Sequence, residues 1–411
     1  MRTVFADLHI HIGRAYGGLP QGAGKPVKIT AARDLTFENI ARECANRKGI
    51  EIAGVVDCAS PLVLRDIQAL MASGDMVELS GGGLRFRDKT TVILGCELET
   101  AEENGSCAHY ISYFPSLPEL RDFSNIMGSL VTNLDLSSQR CRLPAQRLWE
   151  ITDSCGGVFI PAHAFTPHKS VYGNCASRLS ELFDDRALAA IPALEMGLSA
   201  DSLMADRLAE LADKTLLSNS DAHSLPKIAR EYNALEIDEP TYAEFVLALR
   251  RDGERRVTGN FGLDPRLGKY HRTFCPKCER IESQPPPVLS CPVCGSENVV
   301  RGVLDRVAEI ADFPEPRQPA HRPAYRYQVP LQFLPKLGPV ALHKLLNRFG
   351  TEMAVLHAVD EAELSQVVGR RLTHLILAAR EGVLPLKAGG GGHYGRPLEK
   401  PEEAQLDLTL M

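Results

Sequence analysis

Seven short β-rich runs recur through the first half of the chain, at residues 4–12, 52–56, 91–98, 110–114, 157–161, 193–196 and 215–218. Between several of them lie amphipathic stretches at 36–48, 145–154 and 202–212. In the first stretch Ile40, Ala41 and Cys44 share one helical face, while Glu38, Arg42 and Glu43 fall on the solvated side. Strands alternating with helices over this length predict an α/β fold, a closed or nearly closed (β/α) barrel, with an open doubly wound sheet as its rival. The pattern breaks at residue 253. A segment containing Gly and Arg (253–271) leads into a compact cysteine module (275–294), and four prolines between 314 and 323 read as a linker or braced arm. From residue 331 the spacing turns helical, at 339–349, 352–357, 360–367 and 370–381, before a glycine run that ends in His393-Tyr394-Gly395.

These shifts divide the chain into a barrel (1–252), a basic segment with a cysteine module (253–313), and a linker with a helical region (314–411). The 411 residues are too many for one ordinary core, and 44% hydrophobic with 24% charged residues is a folded composition. The formal net charge of -6 argues against blanket polycation binding, yet it conceals an asymmetry. Residues 1–252 carry 25 basic and 34 acidic side chains, whereas residues 253–411 carry 21 and 18. An anionic partner is therefore expected on the second half, where Arg255, Arg256, Arg266, Lys269, Arg272, Lys277 and Arg280 cluster. No apolar run is long enough to cross a bilayer, and the polar start does not read as a signal peptide. Eleven cysteines without a general pairing rhythm suggest a cytoplasmic chain with one metal knot rather than a disulfide scaffold.

Ligand-type residues fall at the ends of nearly every predicted strand. Strand periodicity places Asp7, His9 and His11 on one face. Asp57 follows the second strand, Glu97 and Glu99 the third, and His163 the fifth. His109 precedes the fourth strand, Glu195 ends the sixth, and Asp221 and His223 follow the seventh. Capping or solvated-loop roles explain any one of these, but poorly explain a set that converges. In a barrel the C-terminal strand ends share a face, so the set predicts a histidine/carboxylate centre. Such donors suit transition ions, and a bridging carboxylate such as Glu97 points to metal-assisted hydrolysis, with metal amidohydrolases as the chemical competitor. No GxGxxG follows the first strand and there is no P-loop.

Cys275-Pro276-Lys277-Cys278 and Cys291-Pro292-Val293-Cys294, twelve residues apart, form a zinc-ribbon signature. Four thiolates leave no place for substrate, so this structural zinc is expected to support folding. The prolines at 285–287 disfavour a helix between the pairs. Farther on, Leu334-Pro335-Lys336-Leu337-Gly338 opens one helix and Val368-Gly369-Arg370-Arg371 opens another. Their first-turn N–H groups, with Lys336, Lys344, Arg348, Arg370 and Arg371, suit phosphate.

The ordered motifs Asp7-Leu8-His9-Ile10-His11, Asp57, Gly95-Cys96-Glu97, Pro161-Ala162-His163 and Ser220-Asp221-Ala222-His223 resemble those of the PHP (polymerase and histidinol phosphatase) family. That resemblance implies a distorted (β/α)7 barrel with a two- or three-metal phosphoesterase site, its divalent ions being Zn, Mn or Mg. His9, His11, Glu97 and Asp221 would hold one ion, and Glu97, His109 and His163 a second. His223 would serve a third, but Asp57-Cys58 stands where the family carries an Asp-His pair. The third site then rests on Asp57, on Cys58 or on a rebuilt set. Glu195 is expected as a ligand or water-positioning base, and Asp221, Glu97, His9 and Glu195 as the catalytic group.

The whole order, from that start through the zinc ribbon, the helix-hairpin-helix-like element and the Gly-Gly-Gly-Gly-His-Tyr-Gly tail, resembles the endonuclease Q family. Lys336-Leu337-Gly338 departs from it in lacking the first glycine of the usual Gly-x-Gly hairpin. The resemblance implies cleavage of double- or single-stranded DNA on the 5′ side of a deaminated base, uracil or hypoxanthine, and at abasic sites, with no membrane partner. A small-molecule phosphoesterase with an accessory zinc module is the alternative. Lys25 and Lys28, after the irregular glycine-rich loop at 17–24, are candidates for backbone phosphate. Phe165, His168 and Tyr172 are candidates for contact with an extruded base, against a plain surface-loop role.

Overall fold

The computed structural model describes residues 1–19 and 24–399. Residues 20–23 of the glycine-rich loop and residues 400–411 of the helical region lie outside the described residues.

The barrel is built around β1 (Arg2–Ile10), which pairs in parallel with β2 (Ile52–Val55), itself parallel to β3 (Thr90–Glu99). From there the alternation breaks down. Next come β4 (His109–Phe114) and β5 (Val158–Pro161), each antiparallel to its predecessor. The short parallel pair β6 (Ala193–Glu195) and β7 (Thr215–Leu217) lies against β5. On the other side of β1, β8 (Tyr232–Ile237) and β9 (Arg256–Gly262) continue the sheet antiparallel, and β7 reaches β9. One buried cluster collects Leu8, Ile93, Ile111, Ile160, Leu217, Leu235 and Val257 from around this ring, so the wall encloses a common apolar interior. The result is the expected distorted barrel, with antiparallel strands on both flanks of its parallel centre.

An irregularity in β1 decides where the histidines point. The register against β2 slips between Asp7 and Ile10, so that Leu8 joins the interior cluster while Ile10 and Ile12 join the outer one. A bulge of this kind re-aims the side chains that follow it. His9 and His11 thus face the barrel mouth, and Asp7, expected on the same face, instead accepts hydrogen bonds from the Ser220 and Ala229 amides. Gly54 permits the close approach of β2, since a Cβ there would lie 2.3 Å from the Leu8 carbonyl oxygen.

Other expectations need correction. The segment at 253–271, placed outside the barrel, contributes β9 to its wall, and β12 (Tyr325–Tyr327, in the nominal helical region) pairs in parallel with β9. Gly259, Asn260 and Gly262 make β9 look like a loop in sequence. Its Asn260 side chain nevertheless donates to the Leu216 carbonyl and to Asn233, whose own amide donates to the Ser218 carbonyl. Residues 202–212 form only two short helical turns, Ser202–Ala205 and Ala209–Leu211.

The cysteine module contains a small antiparallel hairpin of β10 (Phe274–Cys275) and β11 (Arg280–Ile281), with no helix between its cysteine pairs. The last helices run Pro339–Phe349, Glu352–His357 and Glu361–Arg380, the third broken at Gly369 by φ 76° and ψ 161°. Lys336 takes φ 69°, a left-handed conformation usually left to glycine, so the hairpin keeps its shape without one. These helices sit on the barrel. Buried Lys48 pairs with buried Glu352 at 2.8 Å, and His357 stacks on Phe5 while bonding the Tyr232 hydroxyl.

Candidate metal centre

At the barrel mouth the bulge in β1 delivers two imidazoles whose Nε2 atoms lie 3.2 Å apart. Asp221 comes from the loop after β7, with its Oδ1 at 3.4 Å from His11 Nε2 and 3.7 Å from His9 Nε2. Its φ of 44° is strained for a non-glycine residue. The loop is held by Asp7 beneath it and by Arg230, whose guanidinium donates to the Ser220 and Asp221 carbonyls. A second triad faces the first. Glu97 Oε1 lies 3.0 Å from His109 Nδ1 and 3.3 Å from His163 Nε2. The same carboxylate reaches back to His9 and His11, each at 3.5 Å, and so stands between the two triads. His109 starts β4 rather than ending a strand, but β4 runs antiparallel to β3, which brings that end to the mouth.

The donors are themselves oriented. His9 Nδ1 is 2.7 Å from Glu195 Oε2, and His11 Nδ1 is 3.1 Å from Asp57 Oδ2, which also accepts the Ile12 amide. Carboxylates that accept a hydrogen bond from Nδ1–H leave each Nε2 lone pair directed at the mouth. Glu195 and Asp57 thus stand behind the imidazoles, outside both triads. His223 also joins neither, its Nδ1 lying 3.0 Å from the Asp221 carbonyl.

The electrostatics demand positive charge. Burial opposes ionisation of Glu97, yet His109, His163 and Lys28 hold it well below the usual carboxylate range. Burial likewise opposes ionisation of Asp221, which His11, His9 and His223 hold far down. Burial would lower His9, but Glu195, Asp221 and Glu97 draw it up to about 10. Burial leaves His223 at about 4. Among the described residues, Asp57 Oδ1 and Glu195 Oε1 are buried without a hydrogen-bond partner, and His109 Nε2 meets only the Glu99 carboxylate, at 3.5 Å. Convergent imidazole nitrogens, buried carboxylates and orphaned polar atoms are the donor set of a divalent-cation centre.

In the ribbon, Cys275 and Cys294 Sγ lie 3.8 Å apart, as do Cys278 and Cys291 Sγ, and all four thiols lie within 4.8 Å of one another. This closed four-cysteine cluster fits a zinc ribbon.

The remaining expected site residues divide. Lys25 is exposed on a two-residue strand, whereas Lys28 reaches the mouth, with Nζ 3.5 Å from His11 Nε2. Phe165 and Tyr172 are buried and stacked on each other, Tyr172 bonding Glu210, so they belong to the core. Exposed His168 meets the edge of Tyr270. Lys336, Lys344, Arg348, Arg370 and Arg371 are exposed, although Arg371 pairs with Glu399. The basic stretch is largely neutralised, because Arg255, Arg256, Arg266, Arg272 and Arg280 each pair with a nearby carboxylate.

Sequence reasoning missed a cavity of about 190 Å³ beside the triads. His163, Glu195 and Asp221 line it together with Thr166, Ser199, Lys269, Tyr270 and Tyr394. Lys269 Nζ lies 4.6 Å from the Tyr394 ring centre, and Arg230 contacts the same ring and its hydroxyl. The signal was a lone aromatic within the glycine-rich tail, which composition alone marks only as loop.

A family model described as PHP-associated matches residues 202–252. The chain is 45% identical to the uncharacterized protein YqxK of Bacillus subtilis (strain 168), over 96% of this chain and 99% of that protein. Among solved structures it is similar to the lesion-specific endonuclease PfuEndoQ of Pyrococcus furiosus, with a TM-score of 0.80, 29% identity and coverage of 100% and 99% of the two chains. It is equally similar to an Endonuclease Q complex with a 27-mer duplex bearing an abasic lesion at the active site, with a TM-score of 0.80, 29% identity and 98% of each chain covered.

Proposed function

Since the chain belongs to the endonuclease Q family, we propose that it is a metal-dependent DNA repair endonuclease that hydrolyses the phosphodiester 5′ of a deaminated base (uracil or hypoxanthine) or an abasic site. The observation that carries this reading is the pair of triads joined by Glu97 and opening on a cavity.

His9, His11 and Asp221 would hold one divalent ion and Glu97, His109 and His163 a second, with Zn, Mn and Mg as candidates. Ions at such a centre supply activation of water and stabilisation of charge on the phosphoryl oxygens. Glu97 would serve both triads. Glu195 and Asp57 would act as positioning residues, each accepting a hydrogen bond from Nδ1–H so that His9 and His11 present Nε2. Asp7 and Arg230 would hold Asp221 in its strained conformation. The nucleotide to be inspected would leave the stack and enter the cavity against Tyr270 and Tyr394, a role reassigned from Phe165 and Tyr172. Lys269, partly buried at the cavity wall, would favour an approaching phosphate. Lys336, Lys344, Arg348 and Arg370 would grip the duplex backbone without reading bases.

The test is an end-labelled duplex with a normal base, uracil, hypoxanthine or an abasic site, incubated with Mg²⁺, Mn²⁺ or Zn²⁺ beside an Asp221→Ala control. The expected result is a discrete nick 5′ of the altered nucleotide, absent from the control. Turnover of nitrophenyl phosphate without any nick would overturn the reading in favour of a small-molecule phosphoesterase.

A further inference from the structure

The residues expected to hold a third ion do not converge on one: among the described residues neither histidine/carboxylate triad includes Asp57, Cys58 or His223, and no further group of three donors gathers around them. Cys58 is fully buried, and its thiol donates to the Val55 carbonyl at 3.1 Å, back into its own chain. Asp57 Oδ2 is occupied by His11 Nδ1 and the Ile12 amide. His223 turns Nδ1 to the Asp221 carbonyl. Another positive group reaches the mouth instead. Lys28 Nζ lies 2.7 Å from Ser138 Oγ, 3.5 Å from His11 Nε2 and 3.9 Å from Glu97 Oε2.

We propose that the ε-ammonium of Lys28 takes the place of a third divalent ion, so that the barrel works with two ions and one fixed organic cation that meets a non-bridging oxygen of the scissile phosphate. The proposal rests on the phosphodiesterase reading above.

Lys28 is built in. Its amide donates to the Ile12 carbonyl at 2.8 Å, one residue beyond His11, and the neighbouring Val27 amide donates to Gly13. From the other side the Ser137 amide donates to the Val27 carbonyl, which ties the 137–138 turn to the same segment. Ser138, at φ 50°, hydrogen-bonds both Lys28 and Glu97. The side chain retains 18% exposure, so its tip lies inside the centre yet stays open to a ligand. Lysine is a compact point charge with three donors, suited to a phosphate oxygen where a bidentate group would crowd the triads.

The experiment is an ion count by mass spectrometry on the full-length protein, paired with single-turnover nicking of the lesion duplex. Wild type is expected to hold three ions per chain, one in the ribbon and two in the barrel. Four would overturn the proposal. Lys28→Met is expected to keep all three ions and bind the duplex with at most a small change, while the chemical rate falls about 10²-fold or more. Lys28→Arg should recover part of that rate, which a purely packing role would not produce. An unchanged rate in Lys28→Met, or loss of a barrel ion from it, would overturn the assignment. If the wild type counts three ions but nicks no DNA, the nuclease reading fails while the ion count stands; the rate assays are then repeated on nitrophenyl phosphate, where the same expected losses apply.

Discussion

The barrel mouth and the cysteine ribbon are both metal-ligating clusters, yet they are assembled in opposite ways. The ribbon draws four like donors from twenty residues of chain, closes them on one another, and leaves no opening for substrate. The mouth draws unlike donors from five separate strand ends, braces His9 and His11 through second carboxylates, carries His163 and Asp221 on strained backbone, and opens on a cavity. A structural site needs only local chain and chelating geometry. A hydrolytic site needs the whole barrel, because its donors must be fixed while a coordination position stays free.

That contrast can be broken by experiment, and the largest effect falls on the mouth. Asp221→Ala should lower nicking by about 10³-fold or more while the ribbon keeps its zinc. Loss of ribbon zinc in that variant would mean the two clusters are not independent. Glu195→Gln is the finer probe. It retains the shape behind His9 but removes the charge, and should cost about 10- to 100-fold in activity or barrel-ion affinity. Conversely, Cys275→Ser should release one zinc per chain by atomic spectroscopy and loosen the ribbon, with both barrel ions retained.

Weaker effects belong to the helices. Lys336→Ala and Arg370→Ala should weaken undamaged and damaged duplex alike, each reducing the slope of log affinity against log salt by about 1. The smallest effect concerns Glu231, buried beneath β9 with one oxygen accepting the Leu263 amide. Burial raises its carboxyl to about 8, from an ordinary value of 4.5. The folded chain therefore binds more protons than the unfolded one between those values, and stability falls as pH rises through that window. Glu231→Gln, always neutral, should melt about a few degrees above wild type at pH 8 and near it at pH 5.

How much of this could be read from sequence follows the same division. The ribbon needed only its spacing, and β1 to β7 were marked by apolar runs. The six residues of the triads were visible as types at strand ends, whereas Asp57 and His223, expected at a third ion, and Glu195, expected as a ligand or water-positioning base, lie outside both triads. What resisted was whatever depends on contact. The register shift between Asp7 and Ile10 has no signature in Asp7-Leu8-His9-Ile10. β9 hides behind glycines and an asparagine whose side-chain amide finds its acceptors only inside the fold. A count of arginines between 253 and 280 shows charge but not the carboxylates that neutralise most of it. Lys28 was legible only as a candidate for backbone phosphate beside Lys25, because nothing in its neighbours reveals that Ile12 and Ser137 hold its segment against the mouth.

The wall strand β9 and the Lys48–Glu352 pair together limit how such a gene can be rearranged. A recombinant that inherited only residues 1–252 would carry every ligand of the mouth, but β8 would present a bare edge and Lys48 would lose its Glu352 partner, keeping only the Pro226 carbonyl. Excision of the nuclease part alone would therefore need a new partner for the β8 edge and a new acceptor for Lys48.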